Sequence, residues 1–109
     1  MNQRVAKVES LIQQVVATKI VELLEAEAAQ VTVTRVDAAP DLRNATVWLG
    51  ILGTSEQHKA ILAKLATVQG AVQEALGAHM QTKFVPRLHF KLDSGGEYAA
   101  HIEQLLNSL

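Results

Sequence analysis

The stretch QVTVTRVDAAPDLRNATVWLGIL at 30–52 switches the apolar period of the chain from helical to two, and this switch decides the fold. β-Branched residues fill 31–34 and 36, and such side chains suit a pleated surface better than a helix. Strict alternation places Val31, Val33 and Arg35 on one side and Thr32, Thr34 and Val36 on the other. Pro40 and Asp41 mark a turn within a loop at 38–43. A second strand follows at 44–52, with Ala45, Val47, Leu49 and Ile51 on one face and Trp48 on the opposite face. The two strands are expected to pair across the loop.

Upstream, Val5, Val8, Ile12, Val15, Val16, Ile20, Leu23 and Leu24 recur at steps of three and four, which predicts one long amphipathic helix over 3–26. Downstream, Gly53 closes the second strand, and Thr54 with Gln57 forms a capping-box signature for a helix through Ile61, Leu62 and Leu65. Gly70 interrupts that helix at a cost of about 1 kcal/mol relative to alanine. A break near 67–70 is therefore expected, with a third helix carrying Val72, Leu76 and Met80. FVPRLHFKL at 84–92 reads as a third strand with Phe84, Leu88, Phe90 and Leu92 on one face, and Pro86 near its start or on an edge. Asp93 to Glu97 forms a turn, and Tyr98, Ile102, Leu105 and Leu106 suggest a short terminal helix. The order α-β-β-α-kink-α-β predicts a two-layer α/β (α+β) domain over 1–109, a three-stranded sheet with helices on one face.

Composition bounds the function. Hydrophobic residues make up 49% of 109, enough for one modest core. No cysteine is present, which removes disulfides and thiolate metal sites and fits a reducing compartment. Neither a signal peptide nor a run approaching the roughly 20 apolar residues of a membrane span is present, so a soluble, cytoplasmic protein is expected. The four histidines are widely spaced, no serine lies in a nucleophile elbow, and no phosphate-binding glycine motif occurs. The expectation is no enzyme, no metal, no cofactor and no small-molecule substrate. Net charge is −1, so any nucleic-acid contact must come from uneven placement of the charges.

Several local strings, in this order and spacing, resemble the ribosome-binding factor A family. They are Arg4-Val5 at the head of the first helix, Val31-Thr32-Val33-Thr34-x-Val36, Asp41-Leu42, Ala45-Thr46-Val47-Trp48, Pro86 with Leu88 and Phe90, and Asp93. The resemblance runs from residue 4 to about 106. It implies a KH-like fold of type II in which an Ala-x-Gly kink replaces the usual GxxG loop. Val68-Gln69-Gly70 stands at that place, with valine for alanine. Ala28-Ala29-Gln30 replaces the Asp-Pro-Arg string of many members, and the charged C-terminal tail of some members is not expected here. The implied function is non-catalytic assembly of the small ribosomal subunit: binding immature 16S rRNA, supporting maturation near its 5′ end, and leaving before translation. A monomer with the small subunit and its rRNA as partner is expected.

Three groups of residues are candidates for RNA contact. Lys83, Arg87, His89 and Lys91 alternate along the third strand and share the face opposite Phe84, Leu88 and Phe90. Gly70 with Gln69 and Lys64 marks the kink, where backbone N–H groups can meet a phosphate. Arg4 and Lys7 lie on the polar side of the first helix, whose acidic end, Glu22, Glu25 and Glu27, should repel RNA. The charged row and the Arg4–Lys7 pair also suit a solvated surface, and Gly70 also suits the plain end of one helix and start of another. Trp48 on an outer face could stack on a base, but a single tryptophan is more often core or partly buried, and with four aromatics in the chain (Trp48, Phe84, Phe90, Tyr98) an aromatic stacking platform is poorly supported. The near-neutral charge leaves a second reading open, a protein–protein interaction module using a strand edge or the terminal helix.

Overall fold

The structure, a computed structural model, describes residues 3–81 and 84–93. Helix α1 spans Gln3–Leu24 and a 3-10 turn spans Glu25–Gln30. Strands β1 (Val31–Ala38) and β2 (Asn44–Ile51) follow, then helix α2 (Ser55–His79) and strand β3 (Arg87–Leu92). The sheet order is β1-β2-β3, with β1 and β2 antiparallel and β2 and β3 parallel. Both helices cover one face of the sheet, an α+β arrangement consistent with a KH-like fold.

Helix α1 buries Ile12, Val15, Val16, Ile20 and Leu24, the stripe its spacing predicts. It ends at Leu24, two residues short of the expected end, because Glu25 takes a φ of 49° and turns the chain. The β1–β2 loop is held by three hydrogen bonds: Ala39 N–H to Asn44 O, Leu42 N–H to Ala39 O, and Arg43 N–H to the Asp41 carboxylate. Strand β2 sends Ala45, Val47, Leu49 and Ile51 into the core, each at most 1% exposed, as the alternation requires.

Strand β1 departs from strict alternation. Val33 pairs with Leu49, but Arg35, not Thr34, pairs with Trp48, so Thr34 is an extra residue in a β-bulge. The bulge reverses the faces beyond it. Val36 becomes 6% exposed and faces the core together with Val31 and Val33, while Arg35 turns outward. Two apolar sets that strict alternation puts on opposite faces are thereby merged onto one. Thr34 Oγ1 secures the bulge by donating to Asp93 Oδ2 at 2.7 Å.

The expected break near 67–70 is absent: α2 is one helix of 25 residues, and no third helix forms. One glycine costs about 1 kcal/mol. Ile61 and Leu65 before it and Val72 and Leu76 after it are all buried in one core, and this packing holds the helical backbone across Gly70. The capping box at Thr54 and Gln57 forms with both of its hydrogen bonds. Gly53 before it has a φ of +118°, a conformation that favours glycine.

The third strand starts at Arg87 rather than at residue 84. Phe84 is 60% exposed, so it does not share the inward face of Leu88, Phe90 and Leu92. Its ring instead lies 5.8 Å from the Arg43 guanidinium. Pro86, which has no N–H to give a ladder, is buried immediately before the strand. The expected terminal helix lies outside the described residues. Among the described residues, no helix is long and apolar enough to cross a membrane.

Candidate nucleic-acid interface

The middle of α2 and the start of β3 frame a recess of about 530 Å³ lined by Gln69, Gly70, Gln73, Val85 and Arg87. Because β3 is an edge strand, its outer backbone groups need partners other than a neighbouring strand. Two glutamines of α2 supply them. Gln69 Nε2 donates to Leu88 O at 3.0 Å. Gln73 Nε2 donates to Pro86 O at 2.8 Å, and its Oε1 accepts from Leu88 N–H at 2.9 Å. The two side chains are one helical turn apart, so both reach the same strand.

Gly70 lies between these two contacts on α2 and lines the same recess. A Cβ built on it has no atom within 4 Å, so core packing does not require the glycine. Its effect is to leave an exposed patch of backbone at the recess wall, where another chain can approach closely. The Arg87 side chain is exposed at the same recess. Val68 is half-buried against the core, which explains why an apolar residue stands there.

From Arg87 the outer side of β3 continues through His89 and Lys91, all exposed, while Leu88 is fully buried between them. This is the cationic row that alternation predicts. Lys83, its fourth expected member, lies outside the described residues. His89 Nε2 shares a hydrogen bond with Asn44 Oδ1 at 3.0 Å.

The other expected residues stand apart from the recess. Lys64 donates to Glu27 at 3.0 Å and to Leu24 O at 3.4 Å, so it ties α2 to the end of α1. Its ammonium, followed by a backbone hydrogen bond at Glu27 itself, holds the Glu27 carboxyl below its ordinary 4.5. The acidic stretch, which the structure divides between the end of α1 (Glu22) and the 3-10 turn (Glu25 and Glu27), therefore includes an ion pair at Glu27. Arg4 and Lys7 are exposed on the first turns of α1. Among the described residues, no group of three histidine, cysteine or acidic side chains is placed to hold a metal.

Sequence reasoning missed Gln73, the stronger of the two strand clamps. Its only signal was the four-residue step from Gln69, too common on a solvated helix to stand out. It also missed Arg35, because the bulge that turns this residue outward has no clear mark in the local pattern.

Residues 4–106 match the family model for ribosome-binding factor A. The ribosome-binding factor A of Thermomicrobium roseum is 38% identical over 88 residues, covering 81% of this chain and 68% of that protein. The solution structure of a candidate ribosome binding factor A from Thermotoga maritima superposes with a TM-score of 0.71 at 28% identity, covering 86% of this chain and 91% of that one. The ribosome binding factor A of Thermus thermophilus, as fitted into a cryo-electron-microscopy map of its 30S complex, gives a TM-score of 0.58 at 18% identity, covering 84% and 93%.

Proposed function

Since the chain belongs to the ribosome-binding factor A family, we propose that it is a non-catalytic assembly factor that binds the small (30S) ribosomal subunit and its immature 16S rRNA and supports rRNA processing and subunit maturation. The 30S complex of the Thermus thermophilus relative supports this reading. The observation that carries it is Gly70: an exposed glycine inside a helix, with open space where a side chain would be, in a recess that also holds Arg87.

A nucleic-acid backbone can approach the helix there more closely than at any other residue type. Arg87 meets a phosphate at the recess, and Lys83, His89 and Lys91 extend the contact along β3. Gln69 helps to shape the recess wall. Arg4 and Lys7 add contacts from α1, and Lys64 joins only by giving up Glu27. No bond is made or broken; binding energy favours one RNA conformation over others. The protein acts in this reading as one soluble cytoplasmic domain, a monomer that needs no cofactor.

The test is sedimentation of the purified chain with isolated small subunits at increasing salt. Wild type should travel with the subunits at low salt and dissociate as salt rises. The Gly70→Val and Arg87→Glu chains should remain largely at the top of the gradient at salt where wild type is bound. Binding by both variants as tight as wild type rules out this recess.

A further inference from the structure

We propose that the outward face of the sheet is a platform for single-stranded RNA, on which one unpaired base stacks against Trp48. This rests on the RNA-binding reading and extends its site from the recess across the sheet. Trp48 is in the central strand between Val47 and Leu49, both 0% exposed on the covered face, so its ring lies on the other face. Its Cα partners are Arg35 on β1 and Lys91 on β3, which makes one transverse row. The bulge at Thr34 creates this row: continuing the Val33–Leu49 register would set Thr34 opposite the indole, and the extra residue sets Arg35 there instead.

The row is organised around the ring. The Arg35 guanidinium lies 5.0 Å from the ring centroid and Lys91 Nζ lies 5.8 Å from it. Asp37 Oδ2 accepts from the indole Nε1 at 3.0 Å and forms an ion pair with Arg35 Nε at 3.1 Å, so one carboxylate ties the indole edge to the guanidinium. Lys91 has no ion pair among the described residues and is the displaceable group. The face carries Arg35, Arg87 and Lys91 against Asp37, which pairs with Arg35, and Asp93, which is held by Thr34, so a small cationic excess remains at Arg87 and Lys91 in a chain of net charge −1. Arg87 also lines the recess, so the two surfaces are continuous.

A base entering from the Lys91 side stacks on the indole, while Lys91 and Arg87 take the flanking phosphates. Bases inside a duplex already stack on each other and offer no free face, so the platform selects unpaired RNA.

Trp48 is the only tryptophan in the chain, and its emission therefore reports on this face alone. The intact chain is titrated with a short labelled oligouridylate, following RNA anisotropy and tryptophan emission together. The expected result is saturable quenching that tracks the anisotropy, no quenching by an RNA duplex, and roughly ten-fold weaker oligouridylate binding by Trp48→Ala. Trp48→Phe should retain part of the affinity. Anisotropy that reports binding while emission stays constant overturns the platform and leaves the RNA reading intact. Failure to bind both the oligonucleotide and the small subunit overturns both. Equal quenching by polyglutamate assigns the face to an acidic polypeptide and overturns the RNA platform.

Discussion

Gln73 and Leu88 are joined side chain to main chain: the Gln73 Oε1 accepts the Leu88 N–H at 2.9 Å while its Nε2 donates to Pro86 O two residues back. One amide thus does for the edge of β3 what a neighbouring strand would do. Gln73→Leu keeps the volume but leaves that N–H and that carbonyl without partners. An unsatisfied buried donor costs roughly 1–3 kcal/mol. In a domain of this size each kcal/mol lowers Tm by about 4–8 °C. A thermal melt of the variant should fall by at least the lower of these figures, and an unchanged Tm would show that the clamp contributes nothing.

Gly70 is expected to give the opposite stability effect. In a helix it costs about 1 kcal/mol relative to alanine, and the open space beside it accepts a Cβ without displacement. Gly70→Ala should therefore raise Tm by several degrees, and Gly70→Val should leave it unchanged or slightly higher. Both should weaken small-subunit binding, the valine chain more. This pairing of higher stability with lower affinity separates a functional glycine from a structural one. A loss of stability in Gly70→Ala would mean that the glycine serves the backbone itself.

These residues also show where the sequence was sufficient. The alternation of Ala45, Val47, Leu49 and Ile51 and the stripe on α1 specify burial directly, because the side-chain period fixes which face each residue takes. The same logic placed Arg87, His89 and Lys91 outward. It failed at Thr34, where an extra residue changes the parity of the strand and only pairing with β2 reveals it. It failed again at Gly70, where a local propensity of about 1 kcal/mol was set against burial on both sides of the residue. The recess combines the two situations: its cation was legible by alternation, whereas its wall depends on two glutamines whose role appears only once β3 lies beside α2.

The Lys64–Glu27 pair predicts a pH dependence of definite sign. The Glu27 carboxyl titrates below its ordinary 4.5 in the folded chain, chiefly because Lys64 donates to it at 3.0 Å. The pair therefore stabilises the fold fully above the ordinary value, and the contribution disappears as pH falls through the lowered one. Lys64→Met should move the Glu27 midpoint upward in a carboxyl NMR titration. The gap in urea midpoint between wild type and variant should be present at neutral pH and close under acid conditions. A gap that persists in acid would point to packing of the lysine stem instead.

Arg87 gives a prediction about binding that is independent of stability. Its side chain is exposed, and its backbone N–H already serves the ladder by donating to Arg43 O at 2.9 Å. Replacing the side chain leaves that bond intact, so Arg87→Gln should melt with wild type. Each phosphate neutralised by a cation contributes about 0.7–0.9 to the slope of log affinity against log salt. If Arg87 makes one such contact, Arg87→Gln should lower the magnitude of that slope by about one unit for small-subunit binding. The affinity loss should be large at low salt and shrink as salt rises, because the wild-type advantage is itself released counterions. A uniform loss at every salt concentration would mean that Arg87 acts through the shape of the recess rather than through charge. An unchanged slope with unchanged affinity would place the RNA elsewhere on the molecule.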